Sequence, residues 1–422
     1  MLYNAALLPV RAASVVFGVW PRGTAEAELA RDQRLGRRLP SISPGALWIH
    51  GASVGEARII GALASEFRRR RPTQLLAAST VTATGRAQLP KPPALDAAFY
   101  LPLDFPSVQR RAFDVLAPSM IVLVETELWP NLLAEASKRR VPVVVVNGRL
   151  APERLSRYRR LSGLYGPLLR GLDAIGAAGR DEAERFVALG VSERAVEVVG
   201  NVKFDLPACR DEAAELRARH GLAHDRPIVA AGSTGEGEDA LVLDAFSEAR
   251  RNVPNLLLLL APRHPERFEA AADQAARRGF NVSRVSQGVA AASVDVLLLD
   301  TIGQLAAFYA LAGSAFVGGS LVPVGGHNLL EPLAAGAPVL FGPHTHHVAE
   351  IAADVLRSGA GIRVENAEAL GRAWAELATH PDERARRAAS GRAFLAANRG
   401  ALGRTADLVL SVLDRARQER PS

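Results

Sequence analysis

Pro254-Asn255-Leu256-Leu257-Leu258-Leu259-Leu260-Ala261-Pro262-Arg263-His264-Pro265 sets five consecutive leucines between a Pro-Asn turn and a Pro-Arg-His-Pro loop. An apolar run without alternation, bounded by breakers, suits a strand covered on both faces. Val143-Val144-Val145-Val146 reads the same way. Outward from these two anchors, short Val-, Ile- and Leu-rich runs alternate with amphipathic segments along nearly the whole chain. The expected strands are 47–50, 74–79, 120–124, 143–146, 174–177 and 196–199 in the first half. In the second half they are 228–231, 256–260, 296–299, 315–317, 339–341 and 361–364. Helical patterns such as 240–251 and 266–278 lie between them. Repeated strand–helix alternation predicts an α/β chain with two open parallel sheets.

The boundary between the two is expected near residues 204–210, where Pro207 interrupts regular structure. This gives a first domain over 31–206, a second over 207–400, and a C-terminal helix over 401–422. Ala406, Val409, Leu410 and Leu413 form one stripe of that helix, which must pack on something. Residues 1–30 form a segment of their own. Leu2 to Trp20 is mostly apolar but is interrupted by Pro9 and Arg11. It therefore reads as a membrane-surface anchor rather than a spanning helix, with Arg11 and Arg22 at lipid headgroups. The basic tracts 31–38 and 68–71 either strengthen adhesion to an anionic leaflet or form solvated faces of helices.

The 422 residues are 48% hydrophobic and 23% charged, which excludes a disordered chain and leaves apolar material for two cores. One cysteine, Cys209, excludes an internal disulfide and a cysteine-based zinc site. The net charge is +7, unevenly spread. Residues 1–210 hold 29 basic and 19 acidic side chains, a net of +10; the remainder holds 22 and 25, a net of −3. An anionic partner for the first half follows. No nucleic-acid module is recognisable, and nucleic acid is not expected.

In open α/β sheets, ligands sit outside the carboxyl ends of the strands. Four loops of the second half occupy such positions. The richest is Gly318-Gly319-Ser320, followed by Gly325-Gly326-His327-Asn328-Leu329-Leu330-Glu331-Pro332. Its glycines let a ligand approach the backbone, and a helix start offers amides to a phosphate. Glu331 can take a ribose diol, or else serve Asn328 as the partner in a capping box. Gly232-Ser233-Thr234 precedes the acidic Glu236, Glu238 and Asp239 at a helix opening. Pro262-Arg263-His264-Pro265 offers a guanidinium to a phosphate. Asp300-Thr301-Ile302-Gly303-Gln304 offers another helix start to a base or ribose. Together they describe a nucleotide site.

In the first half, Trp48-Ile49-His50-Gly51-Ala52-Ser53-Val54-Gly55-Glu56 runs from strand through glycine turn to helix, without the Gly-Lys-Ser/Thr of a Walker loop. Glu56 is placed to take a proton from an attacking hydroxyl; a first-turn glutamate also answers the helix dipole. Glu125-Thr126-Glu127-Leu128-Trp129-Pro130 adds carboxylates after another strand, and Lys203 closes the last strand of this half. His344, His346 and His347 lack zinc spacing, and no metal is expected.

These segments, with Ser79 to Gly85 and Gly342-Pro343-His344, resemble the Kdo transferases of lipopolysaccharide assembly, in order from about residue 45 to about 365. Such enzymes move 3-deoxy-D-manno-octulosonic acid (Kdo) from CMP-Kdo to a lipid A precursor. The resemblance implies a GT-B fold: two Rossmann-like domains facing an inter-domain cleft, the first for acceptor and the second for CMP-sugar. It also implies an inverting, metal-free and cofactor-free glycosyltransferase on the cytoplasmic side of the inner membrane. By motif, Glu56 matches the general base, and Glu127 and Lys203 match residues that support the transition state. Ser53, Gly55 and Glu125 fall on the acceptor side. Ser233, Thr234, Pro262, Arg263, His264, Ile302, Gly303, Gln304, Gly319, Ser320, Gly325, Gly326, His327, Asn328, Leu329, Leu330 and Glu331 fall on the donor side. The chain departs from the pattern at Gly235 (usually His), Gln304 (usually Glu) and His346-His347 (usually Phe-Asn). The rival readings are a UDP-sugar transferase or a UDP-GlcNAc epimerase-like enzyme of the same fold, and a non-catalytic nucleotide- or lipid-binding protein.

Overall fold

A computed structural model describes residues 24–150, 152–206, 213–288 and 293–419. The anchor read in residues 1–23 and the cysteine at 209 lie outside these. The chain divides into two compact units, one ending at Leu206 and resumed from Asn398, the other running from Pro207 to Ala397.

The strands of the first unit are β1 (Leu47–His50), β2 (Leu76–Thr80), β3 (Ala97–Tyr100), β4 (Met120–Val124), β5 (Val143–Gly148), β6 (Ala174–Ala177) and β7 (Val196–Val198). They form one sheet in the order β3-β2-β1-β4-β5-β6-β7, and every pairing is parallel. Alternate side chains leave the strands on opposite faces, so one strand feeds two cores. Leu47, Ile49, Val122 and Val124 face one core; Trp48, Ile121, Leu123 and Val145 face the other. The first core is covered by the helix Val54–Arg70 and by the last helix, Ala401–Gln418, whose Ala406, Val409, Leu410 and Leu413 are buried there. That helix is tied down at its start, where Asp205 accepts the amides of Gly400 (2.8 Å) and Leu402 (2.7 Å).

The second unit repeats the layout with β8 (Ile228–Thr234), β9 (Leu257–Pro262), β10 (Val282–Arg284), β11 (Val296–Leu298), β12 (Ser314–Val317), β13 (Val339–Phe341) and β14 (Gly361–Arg363). Its order is β10-β11-β9-β8-β12-β13-β14, again all parallel. Leu258 and Leu260 enter one core and Leu257 and Leu259 the other, so the leucine run is buried on both faces.

Each sheet therefore has seven strands, one more than the alternation of the sequence gives. β3 reads Ala-Ala-Phe-Tyr and β10 reads Val-Ser-Arg, both at a sheet edge. β10 carries no apolar run to detect, whereas β3 is a short apolar run, with Phe99 and Tyr100 buried, that the alternation did not single out. The tract 68–71 closes the helix Val54–Arg70. Arg68 pairs with Asp96 (2.8 Å), Arg69 and Arg70 with Glu66 (2.7 and 2.6 Å), and Arg71 with Asp414 (2.7 Å). Each of these arginines thus has a carboxylate partner within its own unit.

Candidate functional site

In each sheet the connections reverse direction beside the first strand, between β1 and β4 in one unit and between β8 and β12 in the other. Loops at such a switch point part from each other and leave a crevice. The residues singled out from the sequence cluster at these two places, each within its own unit.

After β1, Gly51 opens the turn: a Cβ there would stand 2.7 Å from the Cβ of Glu56, so only glycine lets that side chain fold back. Ser53 caps the helix Val54–Arg70 and Glu56 completes a capping box. Ser53 Oγ donates to Glu56 Oε1 (2.9 Å), while the amides of Ala52 and Ser53 (3.4 Å) donate to Oε2. Glu56 is buried, with 8% of its surface exposed. Burial pushes its pKa up, the nearby charges of Glu125 and Glu127 push the same way, and the Ala52 and Ser53 hydrogen bonds oppose them. Gly55 has room for a Cβ, with Ser53 Oγ the nearest atom at 3.8 Å.

After β4, Glu125 holds a left-handed backbone (φ 62°), and Asn147 at the end of β5 does the same (φ 50°). Strained residues of this kind gather at functional rims. Glu125 Oε1 receives the ammonium of Lys203 at 2.7 Å. Asn147 Oδ1 accepts the amide of Val202 (2.9 Å), which fixes the turn bearing Lys203. Glu127 instead accepts the Trp129 indole N–H (3.0 Å), and its Oε2 lies 3.7 Å from Nε2 of the fully buried His50. His50 is held from its other nitrogen by the carbonyl (3.1 Å) and hydroxyl (3.0 Å) of Ser79. Its Nε2 has no hydrogen-bond partner among the described residues. Three carboxyls, one ammonium and one imidazole thus meet at the β1/β4 rim. His50 received no role from the sequence, although it closes a strand directly before the glycine turn.

The corresponding rim of the second unit is organised by Glu238, a residue the sequence offered only as an acidic helix opening. It is fully buried, and its carboxylate accepts four backbone amides: Gly235 (2.9 Å), Gly319 (2.6 Å), Ser320 (3.1 Å) and Leu321 (2.9 Å). One side chain thereby fixes the loops after both β8 and β12. Neighbouring Asp239 bonds Thr234 Oγ1 and pairs with Arg267, whose Nη1 donates to the Thr234 carbonyl (3.0 Å). Ser233 carries a positive φ (58°), and the Arg263 amide also reaches the Thr234 carbonyl (3.1 Å). Pro262 ends β9, placing Arg263 and His264 beside that loop.

Gly319, Gly325 and Gly326 all have positive φ, and the amides of the last two donate to the Gly319 carbonyl (3.0 and 2.7 Å). A Cβ on Gly319 would meet His327 Nε2 at 2.9 Å; one on Gly325 would meet His346 and His347, both at 2.6 Å. His327 is lowered to about 4 by burial and by the nearby Arg263, His347 and His264. An anion bound beside it would favour its protonated form. Ile302 is exposed and Gly303 has a positive φ, while Gln304 Oε1 accepts the Thr301 hydroxyl (2.6 Å) inside its own loop.

Some predicted contacts are spoken for. Ser320 Oγ bonds the Val317 carbonyl (2.5 Å) and accepts the Gly342 amide (2.9 Å). Leu329 and Leu330 are core side chains, leaving their backbone as the group available to a ligand. The helix there runs Leu330–Ala335 with Leu329 at its cap. Asn328 bonds the Leu330 amide (3.1 Å) from one residue earlier than a capping box would need. Glu331 lies in its first turn.

A family model described as 3-deoxy-D-manno-octulosonic-acid transferase matches residues 30–206. The chain is 35% identical over 377 residues to the 3-deoxy-D-manno-octulosonic acid transferase of Haemophilus influenzae, covering 88% of each protein. It is 37% identical over 398 residues to that of Bordetella pertussis, covering 90% of each. Among solved structures it is similar in fold to a glycosyltransferase from Rickettsia africae (TM-score 0.60, 12% identity, 90% of this chain and 100% of that one). It is also similar in fold to a UDP-GlcNAc 2-epimerase from Neisseria meningitidis (TM-score 0.57, 13% identity, 88% and 100%). Two α/β units with parallel sheets of seven strands agree with that GT-B-like architecture. The chain belongs to the 3-deoxy-D-manno-octulosonic acid transferases, glycosyltransferases of lipopolysaccharide synthesis.

Proposed function

We propose that this enzyme takes Kdo from CMP-Kdo and transfers it to a phosphorylated lipid A precursor of the lipid IVA type, by a single inverting displacement with Glu56 as general base. The observation that carries the reading is the state of Glu56: a buried carboxyl, raised in pKa, at the switch point of the first sheet. A base whose pKa is moved up toward the working pH accepts a proton more effectively. An acceptor hydroxyl loses its proton to Glu56 as its oxygen bonds the anomeric carbon of Kdo. The bond from that carbon to the phosphate oxygen breaks, and CMP leaves with the electron pair. Lys203, held by Glu125, sits beside this group and answers the carboxylate of the sugar. The leaving phosphate falls to Arg263 and to the amides of His327 and Asn328.

The amphiphilic acceptor sets the work at the cytoplasmic face of the inner membrane, with the protein on an anionic surface. No helix among the described residues is long and apolar enough to cross a membrane. The rival reading, a UDP-sugar enzyme, is favoured by the fold neighbours that act on UDP-GlcNAc. Ligand protection separates the two. CMP is expected to raise the melting temperature and UDP to leave it unchanged; the reverse order would give the site to a UDP-sugar.

A further inference from the structure

At the amino ends of β8 and β12, opposite the loops that follow those strands, the second unit contains a cavity of about 370 Å³. Its walls carry Arg217, Arg226, Arg384 and His224 against one carboxylate, Asp225. The three guanidiniums are engaged by backbone carbonyls. Arg217 reaches Ala223 (2.8 Å) and Leu311 (3.3 Å), Arg226 reaches Asn255 (2.9 Å) and Val294 (2.5 Å), and Arg384 reaches Leu377 (3.0 Å). Among the described residues none of the three is within ion-pair distance of a carboxylate. Asp295, the nearest influence of opposite sign on Arg226, is already paired with Arg250 at 2.9 Å. A carbonyl orients a guanidinium but does not neutralise it, so a net positive charge remains on the cavity wall.

Two further features suit a ligand. Gly313 lies under Arg384, where a Cβ would stand 3.3 Å from the arginine Cδ, so the glycine makes room for that side chain. Ser314, also in the lining, has a buried hydroxyl without a hydrogen-bond partner among the described residues. Burial lowers the pKa of both Arg217 and Arg226, and Asp295 opposes it only at Arg226.

We propose that this cavity is a second anion site, distinct from the donor loops, that takes a small phosphorylated molecule. Guanidiniums bind phosphate oxygens in a bidentate manner, and the volume falls at the small end of the range for metabolite pockets. The site lies at the other edge of the sheet from the nucleotide loops, so both are open to occupancy together.

The test is calorimetric titration of the full-length enzyme with inorganic pyrophosphate while CMP is saturating. One pyrophosphate is expected to bind per chain with CMP in place. Arg384→Gln is expected to weaken it tenfold or more and to leave CMP affinity unchanged. Ala378→Glu, at a half-buried position where it sets a carboxylate in the same wall, is expected to abolish binding while CMP still binds as in wild type, which shows that the variant is folded and so covers the case where an arginine variant fails to fold. Loss of pyrophosphate binding when CMP is added would overturn the proposal. So would equal affinity in wild type and both variants, or no binding at millimolar concentration.

Discussion

Glu56 does two jobs that pull against each other. Its hydrogen bonds to Ala52 and Ser53 complete a helix cap, while burial and two neighbouring glutamates make its ionised form costly. A carboxyl with a raised folded-state pKa binds its proton more tightly in the fold. Its contribution to stability is therefore present below the ordinary carboxylate range and lost as pH rises through the raised value. Glu56→Gln keeps the size and removes the charge. Turnover is expected to fall about 10²–10⁴-fold, with a melting temperature at neutral pH no lower than that of wild type and a flatter dependence on pH. Glu56→Ala is expected to lose about 1 kcal/mol of cap energy as well, so the pair of variants separates chemistry from capping. His327 makes the complementary case. Held to about 4 by burial and cationic neighbours, it is neutral at pH 7, and a bound nucleotide phosphate is expected to raise its pKa. An NMR titration of its ring protons with and without CMP reads this directly; an unmoved pKa would place the phosphate elsewhere.

At the scale of elements, the loops matter through what anchors them. Glu238 was visible in the sequence as one of three acidic residues at a helix start, but nothing local distinguishes a solvated helix opener from a buried clamp. Only the pairing of β8 with β12 brings Gly319, Ser320 and Leu321 to its carboxylate. Leaving a single buried amide unsatisfied costs about 1–3 kcal/mol, and Glu238→Ala strands four. Its melting temperature is expected to fall sharply and CMP protection to vanish. Glu236→Ala, at an exposed neighbour, is expected to change neither. The last helix follows the same logic. Its apolar stripe was legible, its target was not, because the core it joins is built from Leu47 to Val202, roughly two hundred residues or more earlier in the chain. Leu413→Ala, at a fully buried position, is expected to cost about 2–5 kcal/mol in chemical denaturation.

For the whole molecule, the strand–helix alternation was legible because parallel strands buried on both faces are written as unbroken apolar runs such as Val143 to Val146. β10 escaped because its edge position needs no such run, and β3 because its run is only four residues long. The rim residues were legible as strand-end motifs, Glu56 and Glu127 among them. What the motifs left open was pairing: Lys203 is joined to Glu125, and Glu127 stands by His50. Charge shows the same limit. The net of +10 before residue 211 does not say which arginines are paired, and Arg68 to Arg71 meet carboxylates from their own unit. Membership of the Kdo transferases then supplies the reaction to which the rims are fitted. The central claim is that this chain transfers Kdo with Glu56 as base, and mass spectrometry of a tetraacylated lipid A precursor incubated with enzyme and CMP-Kdo tests it most directly. The wild-type enzyme is predicted to add one or more Kdo mass increments and Glu56→Gln almost none; an unchanged acceptor with wild type, or equal addition by both proteins, would contradict the account.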